Sequence, residues 1–225
     1  MIIGNGLLGK AFLEETEGYY NTLVFASGVS SSRETNPNDF NRERELLTYS
    51  LDTHSDLKFI YFSTILADSI NNDYYNHKLE MENLIKESSS DYIIFRLPQV
   101  VGVGGNSANL LNHLVTSISR CGTIETDPNI QRSIIDVVDV VRLVNGCKDI
   151  VNCEVINISD IEKISVVEMI DMIGEHLGVK PKTIRVKNKF DNWSIDNSEV
   201  IDDLIGHLDI DRVGYIKSLV KKYVE

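Results

Sequence analysis

The chain has 225 residues, 42% apolar and 25% charged, which suits one α/β domain with a small appendage and excludes disordered and fibrous classes. Its net charge of −12 argues against a nucleic-acid partner, which would need a clustered basic face to displace counterions. No apolar run approaches the roughly 20 residues that span a bilayer and no signal-peptide pattern opens the chain, so a soluble, cytoplasmic protein without a membrane partner is expected.

MIIGNGLLGKAFLEE opens with a short apolar run, then glycines, then apolar residues at helical spacing, Leu7, Leu8, Ala11 and Phe12, and reads as strand, turn and helix. TLVFASGVSSS (22–32) is predicted as a second strand ending in small residues, NDFNRERELLTYSLD (38–52) as a helix and KFIYFST (58–64) as a third strand. A helix carrying DYYNHKLEMENLI (73–85) follows, then DYIIFRLPQVVG (91–102) as a fourth strand. Continuous apolar runs alternating with helices are the pattern of buried parallel strands with helical crossovers. VGVGGNSAN reads as a loop, LLNHLVTSIS as a helix, RSIIDVVDVVRLV (132–144) as an extended segment entering a helix, and CEVINIS (153–159) as a further strand. Ser165 and Glu168 have the spacing of a capping box, and Gly178 is placed to close that helix. Near the C-terminus Lys217, Lys221 and Lys222 recur at helical spacing among apolar residues, as on a solvated helix face. Cys121, Cys147 and Cys153 form no CxxC pair and the histidines no HExxH pattern, so neither a metal site nor a disulfide framework is expected.

GNGLLG (4–9) fits the GxGxxG pattern in the context that gives the pattern meaning, after a strand and at the start of a helix. Gly4 permits the tight turn, Gly6 lets backbone approach a pyrophosphate and Gly9 lets helix pack on strand, while the amides from Leu7 and Leu8 onward face the anion. The same glycines would also serve a ligand-free turn. An acidic residue about twenty positions on, which would hold the adenosine ribose, is missing: LVFASGVSSS offers only Ala26, Ser27 and Gly28, small residues suited to a strand end beside a pyrophosphate.

LVFASG, FIYFST, YYNHK with LEMENLI, FRLPQVVG and RSIIDVVDVV occur in an order and spacing that resemble the extended short-chain dehydrogenase/reductases, the sugar-nucleotide epimerase, dehydratase and reductase family. The similarity covers most of residues 1–160 and, more loosely, NISDIEKISVVEMI. The chain looks like a member with its second and third strands deleted. The fold class this implies is α/β, a truncated Rossmann-like parallel sheet with flanking helices over residues 1–160, parts of 100–130 contributing to the substrate lobe. Residues 161–225 would form a small, mostly helical C-terminal substrate-binding lobe.

The resemblance implies a catalytic role for Tyr74 and Lys78, four residues apart on one helix face, where an ammonium near the phenol would favour phenolate over its reference pKa of about 10. Tyr75 is the competing tyrosine, but only Tyr74 has a lysine four positions on. Thr64 aligns with the hydroxyl that hydrogen-bonds the reacting oxygen, and Lys78 would also hold the nicotinamide ribose. Pro98 falls near the nicotinamide amide, Gln99 where many members place an asparagine facing the sugar nucleotide, and Arg132 on the arginine that grips the nucleotide diphosphate. Asn41 matches a recurrent helix asparagine behind the active site. Each of these last four would equally suit an ordinary structural or surface polar group.

The chain also departs from the family pattern. ILADS replaces the usual turn after FIYFST, Val101 stands where a tyrosine is usual, and SINND leaves little room for a longer active-site loop. The implied function is an NAD- or NADP-dependent reductase or epimerase of nucleotide-diphosphate sugars, 4-keto reduction foremost, in deoxysugar or surface polysaccharide synthesis, possible as a homodimer. The alternative is a degenerate, non-catalytic module that binds a sugar nucleotide or a partner. With the second and third strands gone, the GNGLLG strand is expected at a sheet edge, left short or covered. Adenosine would then be weakly held and NADH and NADPH poorly distinguished, unless Arg33 reaches the ribose phosphate.

Overall fold

The computed structural model describes residues 1–15, 18–105, 109–187 and 195–224; residues 106–108 of the expected glycine-rich loop lie outside them. In chain order the elements are β1 (Ile2–Ile3), α1 (Leu7–Glu14), β2 (Thr22–Phe25), α2 (Pro37–Thr53), β3 (Lys58–Thr64), α3 (Asp73–Ser88), β4 (Tyr92–Leu97), β5 (Gln99–Val101), α4 (Leu110–Ser119) and β6 (Thr123–Thr126). They continue with β7 (Gln131–Arg132), β8 (Ile134–Asp136), α5 (Val137–Cys147), β9 (Glu154–Asn157), β10 (Ile164–Ser165), α6 (Val166–Leu177), β11 (Lys182–Arg185), α7 (Glu199–His207) and α8 (Tyr215–Tyr223).

Five parallel strands form the main sheet in the order β1-β2-β3-β4-β9, with Val24 beside Ile2 and Ile60, and Ile60 beside Ile93. β1 to β4 follow the 1-4-5-6 side of the 3-2-1-4-5-6 order of the open dinucleotide fold and β9 adds a fifth strand beyond them, so β1 is an edge and is two residues long. Alternation sends side chains to both faces. Leu23, Phe25, Phe59, Tyr61 and Ile94 pack on Leu47 and Leu51 of α2 and on Met81 and Ile85 of α3. Val24, Ile60, Phe62, Ile93 and Phe95 face Phe12 of α1 and Val140, Val141 and Val144 of α5. Each such large side chain stabilises the fold by about 1.5–3 kcal/mol relative to exposure.

Asparagine side chains start the helices that frame the sheet end. Asn36 accepts from Asn38 N ahead of Pro37, Asn72 from Tyr75 N at 2.9 Å and Asn109 from Asn112 N at 2.8 Å, each cap worth about 1 kcal/mol. The capping box of Ser165 and Glu168 is formed, and Gly178 closes α6 in the left-handed conformation.

Two expected strands are shorter than their apolar runs. β2 ends at Phe25, leaving Ala26–Gly28 as the turn leaving the sheet. The 91–102 run breaks at Pro98, which has no N–H for a ladder, and β5 beyond it pairs in parallel with β8 instead. After residue 160 the chain is mainly helical, and it adds β10, antiparallel to β7, and β11, parallel to β6.

Candidate active site

The carboxyl ends of the parallel strands converge on one edge of the sheet, with the glycine turn after β1, Ala26–Gly28 after β2, Thr64 ending β3 and Pro98 following β4. The glycines differ in what demands them. A Cβ on Gly4, whose φ is +132°, would lie 2.3 Å from the Ala26 carbonyl oxygen, and one on Gly9 would lie 2.3 Å from the Gly4 carbonyl oxygen. Both are required by packing alone. Among the described residues a Cβ on Gly6 meets nothing within 4 Å, and its φ of −75° is open to any residue, so their packing gives no reason for a glycine there. A pyrophosphate approaching the first amides of α1 would need that space. Leu7 packs on the backbone of Gly102 and Gly105, and Leu8 joins the core beside α1.

This contrast sets an expectation. Gly9→Ala should cost about 1–3 kcal/mol by overpacking, whereas Gly6→Ala should cost under about 1 kcal/mol, because Ala is only the poorer N-cap. Urea unfolding separates the two; dinucleotide affinity should then fall for Gly6→Ala while the fold persists.

On α3 the buried face comprises Tyr74, His77, Lys78, Met81, Glu82 and Ile85, so the polar His77, Lys78 and Glu82 occupy positions that helical periodicity reserves for apolar residues. Each is matched. Lys78 Nζ donates to Glu43 Oε1 at 3.0 Å and to Tyr61 Oη at 3.1 Å. Glu43, fully buried on α2, also accepts from Val29 N at 2.6 Å, from Tyr61 Oη at 2.6 Å and from His77 Nε2 at 3.0 Å. Burial alone pushes the Glu43 carboxyl up; the Lys78 ammonium and the donors His77, Tyr61 and Val29 reverse that and hold it well below the ordinary carboxylate range. Glu82 is buried likewise, accepting from Ser63 Oγ at 2.6 Å and from Arg96 Nε and Nη2 at 2.9 and 2.8 Å.

Tyr74 is 8% exposed and its ring meets that of Tyr75 edge-on at 5.1 Å. Its phenol lies above the ordinary value, raised first by burial and then by Tyr75 and the Glu43 charge. The expected lowering by Lys78 is not realised here, because that ammonium is spent on Glu43. Burial raises the Tyr75 phenol, opposed by a hydrogen bond with Ser32 and, to a smaller extent, by the charge of Arg132 on β7. Lys78 and Gly28 touch: a Cβ on Gly28 would lie 2.5 Å from Nζ. Gly4, Ala26, Gly28 and Lys78 thus form a continuous line of close approach from the glycine turn to α3.

The remaining expected residues are less connected. Gln99 Oε1 accepts from Leu110 N at 2.8 Å, an amide of the first turn of α4, and Pro98 is half-buried between β4 and β5. Thr64 is half-buried at the end of β3. Asn41 and Arg33 are exposed; the inward position on α2 belongs to Glu43, two residues further on. Val101 is 1% exposed and fills core space, while the ILADS turn is tied to β4 by Asp68 Oδ2 accepting from Arg96 Nη1 at 2.7 Å. Arg42, which sequence reasoning passed over, donates to Ser27 Oγ at 3.3 Å and to the Ser27 carbonyl at 3.2 Å. Among the described residues no helix is long and apolar enough to cross a membrane, and no cluster of three or more His, Cys, Asp or Glu could hold a metal ion.

The fold is that of the extended short-chain dehydrogenase/reductases. dTDP-glucose 4,6-dehydratase of Bacillus anthracis, solved with NAD, superposes with a TM-score of 0.68 at 15% identity over 90% of this chain and 72% of that one. RMD of Pseudomonas aeruginosa, solved with NADPH, gives 0.66 at 15% identity over 89% and 79%. UDP-glucose 4-epimerase of Thermus thermophilus, solved with NAD, gives 0.66 at 13% identity over 89% and 75%. No protein-family model matches the chain, and no curated protein sequence matches it.

Proposed function

We propose that this chain is an NAD(P)-dependent reductase of a nucleotide-diphosphate sugar, acting in the cytoplasm on a 4-keto group. The observation that carries the reading is the continuous line from an open Gly6 through Gly4, Ala26 and Gly28 to the buried Lys78 at the carboxyl ends of the strands. That edge is where open α/β sheets take their ligands.

Gly4, Gly6, Gly9 and the amides of Leu7 and Leu8 would hold the pyrophosphate, with Ala26, Ser27 and Gly28 alongside and Lys78 and Pro98 at the nicotinamide end. When bound, the nicotinamide supplies hydride. The chain's own part is the proton. Tyr74, its phenol raised by burial, keeps its proton at neutral pH and is suited to donate it to a carbonyl oxygen, with Thr64 hydrogen-bonding the same atom. A donor that starts protonated favours reduction over an epimerisation that begins by removing a proton. Arg132 and Gln99 are assigned to the sugar nucleotide, Arg132 to its diphosphate, whereas the exposed Asn41 is not.

NADH and NADPH fluorescence titrations, with and without a panel of keto-sugar nucleotides, test the reading. Binding at roughly tens of micromolar is expected, with turnover of at least one sugar, since an edge β1 leaves little wall for adenosine. Absence of binding at millimolar cofactor would overturn it. Arg132→Ala should raise KM for the sugar nucleotide while sparing NAD(P)H affinity, the lost charge-assisted contact costing about 1.5–3 kcal/mol. An unchanged KM would remove Arg132 from the diphosphate.

The second reading, a non-catalytic sugar-nucleotide module, draws on the engagement of Lys78 by Glu43. Binding of sugar nucleotides without turnover of any of them would favour it.

A further inference from the structure

We infer that Glu43 is a positioning residue for Lys78, fixing the lysine beneath the turn that leaves β2 so that its remaining N–H faces the nicotinamide ribose. This rests on the proposed contact of Lys78 with that ribose.

Three elements converge on this carboxylate. Val29 N from the β2 exit, Tyr61 Oη from β3, and His77 Nε2 and Lys78 Nζ from α3 all donate to it, at 2.6, 2.6, 3.0 and 3.0 Å. Every partner is a donor, and only a carboxylate accepts on both of its atoms. A glutamine would turn its NH2 toward one pair of donors, and a buried ammonium without its counter-charge is strongly disfavoured. Among the described residues His77 Nδ1 is buried without a hydrogen-bond partner, so the ring's polar contact is the one Nε2 makes with Glu43.

The geometry also fixes where Lys78 points. Of its three N–H groups, one is taken by Glu43 and one by Tyr61, whose ring centroid lies 5.0 Å from Nζ. The side chain is 4% exposed and lies against Gly28 at the end of the pyrophosphate line. A pair serving stability alone could be replaced by apolar residues of similar volume. Here the carboxylate ties the β2 exit and the lysine into one unit, which is what a fixed ribose contact needs.

The test is a double-mutant cycle on the whole chain, reading NADH and NADPH dissociation constants and urea unfolding for the parent, Glu43→Gln, Lys78→Met and the pair. Glu43→Gln should weaken cofactor binding about tenfold in the parent and by less than about twofold in the Lys78→Met background, because the glutamate acts through the lysine. The double variant should also recover stability lost by each single one. If Glu43→Gln does not fold, Tyr61→Phe, which removes the hydroxyl bridging both groups, should show the same dependence on Lys78. Equal losses in both backgrounds would overturn the inference and leave Glu43 a structural residue. A parent that binds no cofactor at millimolar concentration would overturn the proposed function itself, and the positioning role with it.

Discussion

Tyr74→Phe is expected to fold as the parent does and to lose at least about two orders of magnitude in turnover, the scale of removing a positioned acid or base. The ring keeps its place against Tyr75, and its hydroxyl makes no hydrogen bond to a described residue, so unfolding curves should coincide. Tyr75→Phe should be mild, since that hydroxyl sits outside the Lys78 cluster. The pair is compared by steady-state rates with the responsive sugar nucleotide; the reverse ranking would mean that the tyrosine next in sequence is the acid.

Lys78→Met should be the most destabilising single change in the site. It leaves Glu43 fully buried with three donors and no opposite charge, and breaking a buried pair this way costs about 3–5 kcal/mol. A domain with a total stability of about 5–15 kcal/mol will register that clearly. The pH dependence has a defined sign. In the parent, the folded-state pKa of Glu43 lies below the ordinary value of 4.5, so its stabilisation is present above that value and is lost as pH falls through the folded one. In Lys78→Met the largest lowering influence is gone and burial pushes the carboxyl up. The deficit against the parent should therefore be greatest near neutral pH and shrink as pH falls, first through the variant's raised Glu43 pKa and then below 4.5, where the parent loses its own stabilisation. Urea midpoints at several pH values give the result, and a pH-independent deficit would point to lost packing in place of lost charge.

The parallel sheet was legible because its strands are buried on both faces and so appear as apolar runs, and the edge position of β1 followed from the deletion of the second and third strands that the family resemblance implies. Pro98, a residue without an N–H inside an apolar run, marks the point where β4 ends and β5 changes partner. Tyr74 and Lys78 stood out by spacing. Glu43 did not, although its position carried a signal. Glu43, Leu47, Ser50 and Leu51 recur at the spacing of one helix face, so the charge lies in register with core residues. Read that way, NDFNRERELL contains an acid that must be paired inside the protein, and His77, Lys78 and Glu82 on α3 repeat the lesson. Asn41 drew attention through resemblance while pointing to solvent. Which buried acid meets which buried base depends on how α2 and α3 pack across β3, and that is tertiary information no local pattern holds.

The two halves of the site rest on supports of unequal strength. The lysine half is anchored to β3, in the centre of the sheet, through Tyr61 and the buried hydrogen bonds it shares with Glu43 and Lys78. The glycine turn hangs from the two-residue β1, held to its one neighbour by bonds such as Val24 N to the Met1 carbonyl at 2.8 Å and Ala26 N to the Ile3 carbonyl at 2.7 Å. Local opening free energies follow such differences, and an edge with few ladder bonds opens far more often than the sheet around it. A ligand spanning both halves would therefore have to still that edge, and its binding free energy would be reduced by the cost of doing so.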